Sequence, residues 1–429
     1  MQIHVVQPGD SLYQIARTYN SSINAITQAN ELETPNQLVV GQSLVIPIIG
    51  QFYFVQPGDS LSSISRKFGL SYTELAAINN ISVNANLPIN FRLYVPPPKK
   101  RAITSIAYFE PLGGTVSENL ENAARKASPY LTYLAHFSYQ VNRDGTLSPP
   151  PTGNLPQIAR QYGTSLSMVV TNLEEGSFSS DLAHIILTVS AVQNTLLDQI
   201  VNTATAGGYR DVHFDIEFVN PEDREAYNEF LRKAKARLSQ VGLIMSTALA
   251  PKTSATQQGT LYETHDYRTH GEIADFVVLM TYEWGYSYGP PMAVSPIDEV
   301  RRVLEYALTE IPKEKIVMGQ NLYGYDWTLP FVQGGPAAKA VSPQRAIAIA
   351  RENNAAIEYD EGSQAPYFHY WDSNGKEHEV WFEDARSIQA KFDLIRELDI
   401  LGIAYWKLGL AFPQNWLLLG DQFNVTKLE

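Results

Sequence analysis

The sequence has 429 residues, of which 44% are hydrophobic and 18% charged, a composition typical of a folded chain whose length suggests two or three domains. It contains no cysteine, which excludes a disulfide scaffold, thiol catalysis and a Cys-ligated zinc site. The formal net charge of −13 makes the chain a poor partner for nucleic acid or anionic lipid, so we expect neither nucleic acid nor a membrane among its partners.

An internal repeat occupies the first hundred residues. The heptapeptide VQPGDSL stands at residues 6–12 and again at residues 55–61, 49 positions later. In each copy a short β-prone run leads into a Pro-Gly turn, a serine that can cap a helix, apolar residues at helical spacing and a closing β-prone run. The sequence therefore predicts two βααβ modules, at residues 1–49 and 50–97, followed by a Pro/Lys linker at residues 98–101.

The repeated unit resembles the LysM module, which binds glycans containing N-acetylglucosamine, such as peptidoglycan and chitin. The family's groove borders the loop after the first strand, which implies glycan contacts at Gly9, Asp10, Ser11, Gly58, Asp59 and Ser60. The same residues would also be expected if they only formed a turn and a helix cap, and the sequence leaves both interpretations open.

Strand-like and helix-like segments alternate through residues 102–429. Helical patterns lie between eight apolar, strand-like runs, at residues 103–109, 131–139, 167–173, 211–218, 244–250, 275–282, 316–322 and 402–406. Eight strands with intervening helices predict an α/β fold, a (β/α)8 TIM barrel. The interval before the eighth strand is long and partly aromatic, and it predicts a small α+β insertion at about residues 335–385.

The fourth strand carries an unusual pattern. Asp211, His213, Asp215 and Glu217 alternate with apolar residues, so the four polar side chains share one face of the strand. A strand of a parallel barrel is normally apolar on both faces, and buried carboxylates are costly unless they are paired or protonated. Because the apolar face can pack on the helices, we expect the acidic face to point into the barrel. The pattern therefore indicates a functional site.

This strand resembles the signature of glycoside hydrolase family 18, in which the pattern DGxDxDxE ends in the catalytic acid. Glu217 takes the position of that acid, and Asp215 takes that of the last aspartate. The match is partial, because His213 stands where the middle aspartate is usual and Arg210 where the first is. Asp211 falls one place out of register.

Three later segments agree with the family pattern. Residues 280–283 (MTYE) resemble M-x-Y-D, residues 319–327 (GQNLYGYDW) resemble the seventh-strand run, and Trp406 resembles the tryptophan that floors the cleavage subsite. The resemblance implies catalytic roles for Glu217, Asp215 and Tyr282. It implies substrate contacts at His213, Asp211, Met280, Trp284, Asn321, Tyr323, Trp327 and Trp406. We expect no cofactor and no metal ion, since the eight histidines show no HExxH spacing.

The order of the domains, with two LysM modules before a family 18 domain, resembles the layout of glycosidases from bacterial spores. The first residues do not have the pattern of a signal peptide, which agrees with that resemblance. The resemblance implies a retaining, substrate-assisted, endo-acting β-N-acetylglucosaminidase that hydrolyses peptidoglycan, as spore cortex or cortical fragments, during germination. It also implies a monomer located in the spore and made without a signal peptide. Two alternatives remain, a LysM-anchored chitinase and a catalytically inactive glycan-binding protein of the same fold. The presence of Glu217 and Asp215 favours an active enzyme.

Overall fold

The computed structural model describes residues 1–428, and it begins with two modules of the same build. In each module two short strands pair in antiparallel fashion and share an apolar core with two seven-residue helices. Ser11 and Ser60 cap the first helix of each module, as the repeat predicts. The first module comprises Gln2–Val5, Leu12–Thr18, Ile23–Ala29 and Ser43–Ile46, and the second Gln51–Phe54, Leu61–Lys67, Tyr72–Ile78 and Arg92–Val95.

Eight parallel strands form a closed barrel in the rest of the chain, which confirms the predicted fold. The first strand pairs with both the second and the eighth, and this closes the ring. We number the barrel strands 1 to 8 in chain order. They are Arg101–Phe109, Tyr133–Val141, Ser165–Thr171, Asp211–Asp215, Ile244–Leu249, Phe276–Leu279, Ile316–Asn321 and Gly402–Trp406.

Helices surround the barrel, and the largest apolar core lies between them and the outer faces of the strands. A second apolar cluster fills the interior of the ring, with Tyr133, Val169, Phe276 and Val278 among its members. The helices are Glu118–Ala127, Leu155–Tyr162, Ser180–Thr188, Ser190–Gly207, Arg224–Gln240, Tyr267–Ile273, Ile297–Glu310, Ala385–Leu398 and Pro413–Gln422, with 3-10 turns at Ser128–Tyr130, Pro221–Asp223 and Lys313–Lys315. Short additional strands are Leu147–Ser148, Leu173–Glu174, Ser177–Phe178 and Phe423–Val425.

Across residues 1–428, none of the helices combines the length and the apolar character that crossing a lipid bilayer requires.

A small α+β lobe, here called the inserted lobe, lies between barrel strands 7 and 8. It contains the helix Pro343–Glu352 and one five-stranded antiparallel sheet. The strands of this sheet are Gly324–Thr328, Lys339–Val341, Glu358–Asp360, Ala365–Trp371 and Glu377–Trp381. The lobe begins at Gly324 and not near residue 335 as expected, because its first strand pairs with its last, with Trp327 opposite Glu379.

The linker between the second module and the barrel is also shorter than expected. Arg101 already belongs to barrel strand 1, where it pairs with Phe423 of the last short strand. Arg396 Nη1 donates a hydrogen bond to the carbonyl oxygen of Lys99, so the linker lies along the surface of the barrel.

Candidate active site

The acidic face of barrel strand 4 points into the barrel, as the alternation predicts. Val212 and Phe214 belong to the core between strands and helices, whereas His213 and Asp215 are buried inside the ring. The strand ends at Asp215, and Glu217 follows just beyond that end. Active sites of such barrels lie at the carboxyl ends of the strands, so both carboxyl groups stand at the catalytic face.

A cavity of about 540 Å³ opens at this end of the barrel, a volume within the usual range for a small-ligand site. Asp215 and Glu217 lie in its wall, together with Met280, Glu283 and Lys407. The remaining wall is largely aromatic, and aromatic faces can pack against the apolar faces of sugar rings. These aromatic residues are Tyr108, Phe137, Phe178, Tyr262, Tyr282, Trp284, Tyr323, Tyr325 and Trp406.

The two carboxyl groups are too close and too buried to ionise together. Burial, the charge of Asp215 and a hydrogen bond to Asp215 raise the pKa of Glu217 well above its usual range. Burial also raises the pKa of Asp215 to about 7, and the hydrogen bond with Glu217 counteracts part of that rise. The pair titrates as a unit, with Glu217 holding its proton more tightly. Oδ1 of Asp215 is buried and has no hydrogen-bond partner among residues 1–428.

Two neighbouring side chains fix the backbone that carries Glu217. The backbone N–H of Glu217 donates to Oδ1 of Asn172 at 3.0 Å, and Nδ2 of Asn172 donates to the carbonyl oxygen of Glu217 at 2.8 Å. Nε2 of His265 lies 3.1 Å from the carbonyl oxygen of Ile216. Burial lowers the pKa of His265 to about 4, so its imidazole is neutral at neutral pH. The backbone around Glu217 is therefore held by Asn172, which follows barrel strand 3, and by His265, which lies in the loop between barrel strand 5 and the helix Tyr267–Ile273.

A hydrogen-bonded row of side chains lies inside the barrel next to the carboxyl pair. Nε2 of His213 is 2.9 Å from the hydroxyl of Tyr108, and Nδ1 is 2.8 Å from Oγ of Ser246. Ser246 donates to Asp211 at 2.9 Å, and Ser167 donates to the same carboxylate at 2.6 Å. Burial raises the pKa of Asp211 to about 7, so above that pH its carboxylate is ionised and accepts the one hydroxyl proton of Ser246. In that state Nδ1 of His213 is the protonated nitrogen and Nε2 accepts from Tyr108. Burial lowers the pKa of His213 to about 3, so this neutral tautomer persists at neutral pH.

The opposite side of the cavity is built around Glu283, which follows barrel strand 6. Its carboxylate accepts hydrogen bonds from the hydroxyls of Tyr323 and Tyr325, the latter at 3.0 Å. Burial raises the pKa of Glu283, and these two hydrogen bonds lower it. Burial and the nearby carboxylates raise the pKa of Tyr282 well above its usual range, so the Tyr282 hydroxyl stays protonated and can donate.

Trp406, at the end of barrel strand 8, forms the apolar base of the cavity. Its ring packs edge-on against Phe137 and Tyr108, with ring centroids 4.8 Å and 5.3 Å away. The next residue, Lys407, is ion-paired with Glu110 at the edge of the same cavity. These contacts hold the indole in place in the cavity wall.

The sequence pattern of the glycosyl hydrolases family 18 matches residues 106–411, and that of the LysM domain matches residues 4–47 and 53–96. The chain belongs to glycosyl hydrolase family 18. It is a glycoside hydrolase with two N-terminal LysM modules, which confirms both resemblances found in the sequence.

Close relatives share the whole layout of this family 18 protein. It is 63% identical to the cortical fragment-lytic enzyme of Bacillus subtilis (strain 168), over 100% of this chain and 99% of that protein. The crystal structure of the spore cortex-lytic enzyme SleL of Bacillus megaterium QM B1551 matches with a TM-score of 0.91 and 53% identity, over 100% of this chain and 99% of that one. The crystal structure of the spore cortex-lytic enzyme SleL of Bacillus cereus matches with a TM-score of 0.92 and 52% identity, over 99% of this chain and 98% of that one.

Seven of the eleven predicted catalytic and substrate-binding residues line one cavity of the family 18 domain. They come from barrel strands 4, 6, 7 and 8 and the loops that follow them, which are distant in sequence. Those in the cavity wall are Glu217, Asp215, Tyr282, Met280, Trp284, Tyr323 and Trp406.

Four predicted substrate contacts lie outside the cavity wall. Asp211 and His213 are buried in the hydrogen-bonded row beside it. Asn321 is fully buried and donates to a backbone carbonyl at 2.6 Å. Trp327 is only 2% exposed, and its Nε1 donates to a backbone carbonyl at 2.9 Å, because it lies on the first strand of the inserted lobe. These side chains support the site and do not face it.

The predicted LysM contacts all take part in the turn after the first strand. Asp10 and Asp59 each accept the backbone N–H of the residue three positions earlier, at 2.8 Å. The following serines cap the next helix, and the preceding glycines have φ angles of 89° and 85°. In the second module Asp59 and Ser60 also border an open groove.

Several residues of the family 18 cavity were missed in the sequence. Tyr108 lies near the end of barrel strand 1 and Lys407 adjoins Trp406, so their positions could have indicated them, whereas Phe137 lies in the middle of barrel strand 2. Other missed wall residues are Phe178, Tyr262 and Tyr325, which come from loops and from the inserted lobe and follow no periodic pattern. Within residues 1–428 we find no group of three or more histidine, aspartate or glutamate side chains arranged to hold a metal ion.

Proposed function

We propose that this glycoside hydrolase cleaves the β-1,4 bond on the reducing side of N-acetylglucosamine in peptidoglycan, as spore cortex or cortical fragments, during germination. Relatives named as cortical fragment-lytic and spore cortex-lytic enzymes, aligned over nearly the whole chain, support this substrate and setting. The two LysM modules support a polymeric glycan as the substrate. The proposal includes an endo mode of cleavage and a monomer that acts in the spore.

In the proposed first step, Glu217 donates its proton to the leaving oxygen. The acid must be protonated before the sugar binds, and its raised pKa meets that requirement. As the glycosidic bond breaks, the carbonyl oxygen of the sugar's own acetamide attacks the anomeric carbon and forms an oxazolinium ion. Family 18 is one of the exceptions to the usual pair of catalytic carboxylates. In the second step water opens the ring and returns a proton to Glu217, with net retention at the anomeric carbon.

Asp215 stabilises the positive charge that develops on the acetamide nitrogen. Its Oδ1 is buried without a hydrogen-bond partner among the described residues, so it can accept the acetamide N–H. This contact forms as charge develops, and therefore favours the transition state over the bound substrate. The protonated hydroxyl of Tyr282 can donate to the acetamide oxygen and align it for attack.

His213 serves the reaction without carrying charge. The family usually has an aspartate at this position, whereas the neutral imidazole accepts a hydrogen bond from Tyr108 and donates to Ser246. Both ring nitrogens are thereby occupied, so His213 does not compete with the acetamide for Asp215. A neutral neighbour also leaves the negative charge of Asp215 undiminished.

One observation carries the proposal: Glu217, with its raised pKa, and Asp215 line one cavity of sugar size. Digestion of purified spore peptidoglycan, followed by borohydride reduction and mass spectrometry of the released ends, tests it. N-acetylglucosaminitol at the new ends is the expected result. Muramitol at those ends would identify a muramidase and refute the proposal.

The same assay separates the two alternatives. A LysM-anchored chitinase would degrade long chitooligosaccharides faster than spore peptidoglycan at equal sugar concentration. A catalytically inactive glycan-binding protein would release no new reducing ends from either substrate, and we expect release from peptidoglycan.

A further inference from the structure

The second LysM module presents an open groove of about 500 Å³. The groove lies between the loop after the module's first strand and the loop before its last strand. Its walls combine apolar surface with hydroxyl, amide and carboxylate groups, as at Asp59, Ser60, Tyr72, Val83, Asn84 and Asn86. Tyr72 is 50% exposed. An N-acetylated sugar offers a similar mixture of apolar faces and hydrogen-bonding groups.

Part of the matching surface of the first module faces the catalytic domain instead of an open groove. Thr34, Gln37 and Leu38 stand 49 residues before groove positions 83, 86 and 87. They line a cavity of about 30 Å³, whose other wall is the helix Pro343–Glu352 of the inserted lobe. That volume accommodates no more than a few water molecules and no sugar ring.

The loop before the last strand of the first module is docked on the catalytic domain. The carbonyl oxygen of Val40 accepts the backbone N–H of Ile357 at 2.8 Å, and Oγ of Ser43 accepts that of Ala385 at 3.2 Å. Gly41 approaches so closely that a β-carbon there would lie 1.8 Å from the carbonyl oxygen of Ile357. Such direct backbone contact leaves no room for another ligand at Gly41 and Ser43.

The two repeats therefore differ in exposure at matching positions that adjoin the groove-forming loop. Residues 39 and 41–43 of the first module are buried, whereas the matching residues 88 and 90–92 of the second are exposed. Val39 belongs to the apolar core of the inserted lobe, so the first module and the lobe share one core. The sequence repeat gives no sign of this difference, because docking depends on the partner surface.

We propose that the two LysM modules have different roles: the second binds N-acetylglucosamine-containing glycan, and the first is a rigid adaptor docked on the inserted lobe. This inference rests on the proposed glycan binding by the LysM region and assigns it to one groove. The adaptor also holds the second module, since Oε1 of Gln2 accepts the backbone N–H of Phe52 at 2.7 Å and Arg92 donates to the carbonyl oxygen of Thr18 at 3.1 Å. The glycan groove is thereby linked to the barrel through two packed interfaces.

Matched substitutions in the full-length protein test this division of roles. All variants carry Glu217→Gln to suppress hydrolysis, and binding to insoluble peptidoglycan is measured by sedimentation over a range of protein concentrations. One variant adds Tyr72→Ala and Asn86→Ala in the second module. Its matched control adds Ile23→Ala and Gln37→Ala, the residues 49 positions earlier, and a further variant combines all four changes.

The Tyr72/Asn86 variant should bind at least tenfold more weakly, whereas the Ile23/Gln37 variant should stay within twofold of the parent protein. An equal or larger loss in the Ile23/Gln37 variant would overturn the division of roles and leave glycan binding by the modules intact. Unchanged binding by the four-residue variant would instead refute glycan binding by the LysM region, and this inference with it. Thermal melting checks folding, which these exposed side chains should not affect.

Discussion

In the proposed mechanism Glu217 must keep its proton before the sugar binds, while Asp215 must lose its proton. Both are removed from bulk water, so each resists ionisation, and the first to ionise raises the pKa of the second. Glu217 has the greater rise, which is in keeping with its proposed role as the acid.

Replacing Glu217 by glutamine should lower kcat at least about 10²-fold, because an amide cannot donate a proton to the leaving oxygen. Steady-state hydrolysis of soluble peptidoglycan fragments measures the effect. Glu283→Gln is the matched control, since it neutralises another carboxylate of the same cavity that donates no proton, and its loss should be at least tenfold smaller. Near-normal turnover in the Glu217→Gln variant would contradict the assignment.

Removing the charge of Asp215 should change the pH dependence as well as the rate. Activity requires ionised Asp215 and protonated Glu217, so it should fall as pH drops through the pKa of Asp215, about 7, and fall again as pH rises through that of Glu217. Asp215→Asn removes the negative charge that raises the pKa of Glu217. The alkaline limb of kcat/KM should therefore move to lower pH, with a much reduced maximum. An alkaline limb that stays in place or moves upward would show that Asp215 does not control the acid.

At the scale of single elements, the sequence predicted barrel strand 4 well. Strict alternation of polar and apolar residues over a short run fixes which side chains share a face, and that information is local. It placed Asp215 and Glu217 in the site. It did not separate the cavity wall from the layer inside the barrel, so His213 and Asp211 were expected to touch substrate although they lie in the buried row.

The contributions of other elements to the site could not be predicted in the same way. Asn172 meets Glu217 across neighbouring strand ends, and Tyr325 reaches the cavity from the inserted lobe. Trp327 was expected to contact substrate because the motif at residues 319–327 resembles a continuous run that follows barrel strand 7. The chain instead turns into a new sheet at Gly324. Such contacts depend on how distant segments of the chain pair in the folded protein. No local sequence pattern indicates that pairing.

Asn172→Ala should slow the reaction by misplacing the acid without removing it. The substitution deletes both hydrogen bonds to the backbone of Glu217, each worth about 0.5–1.5 kcal/mol of net stability. A displacement of about 1 Å can cost on the order of 10²-fold in rate. We expect a lower kcat, a nearly unchanged KM and an alkaline limb that still reports Glu217. A pure loss of stability, with full kcat per folded molecule, would show that Asn172 does not position the acid.

At the scale of the whole molecule, the chain is three packed units in a row: second module, first module and barrel with its inserted lobe. The repeat and the barrel could be predicted from the sequence, because each follows a regular pattern along the chain. The repeat recurs after 49 residues, and the barrel alternates strand-like and helix-like segments. The docking of the first module on the lobe could not be predicted, since it depends on a shape match between segments over 300 residues apart, as between Val40 and Ile357.

A single methyl group at Gly41 should weaken that docking. Gly41→Ala places a β-carbon 1.8 Å from the carbonyl oxygen of Ile357, and it also strains a backbone with φ of 83°. Asn90→Ala is the matched control, because it has a positive φ of 65° at the same repeat position and is exposed. Calorimetry should give a lower thermal midpoint for Gly41→Ala than for Asn90→Ala, by roughly 2–4 °C per kcal/mol. Equal midpoints would contradict a tightly docked first module.

In the proposed mechanism protonated Glu217 acts as acid while the substrate's own acetamide attacks the anomeric carbon. Proton NMR of the anomeric signal, recorded during rapid hydrolysis of a reduced peptidoglycan oligosaccharide, gives the stereochemistry of the first product. The β-anomer should appear first and then mutarotate. Initial release of the α-anomer would require direct attack by water and would contradict the proposed mechanism.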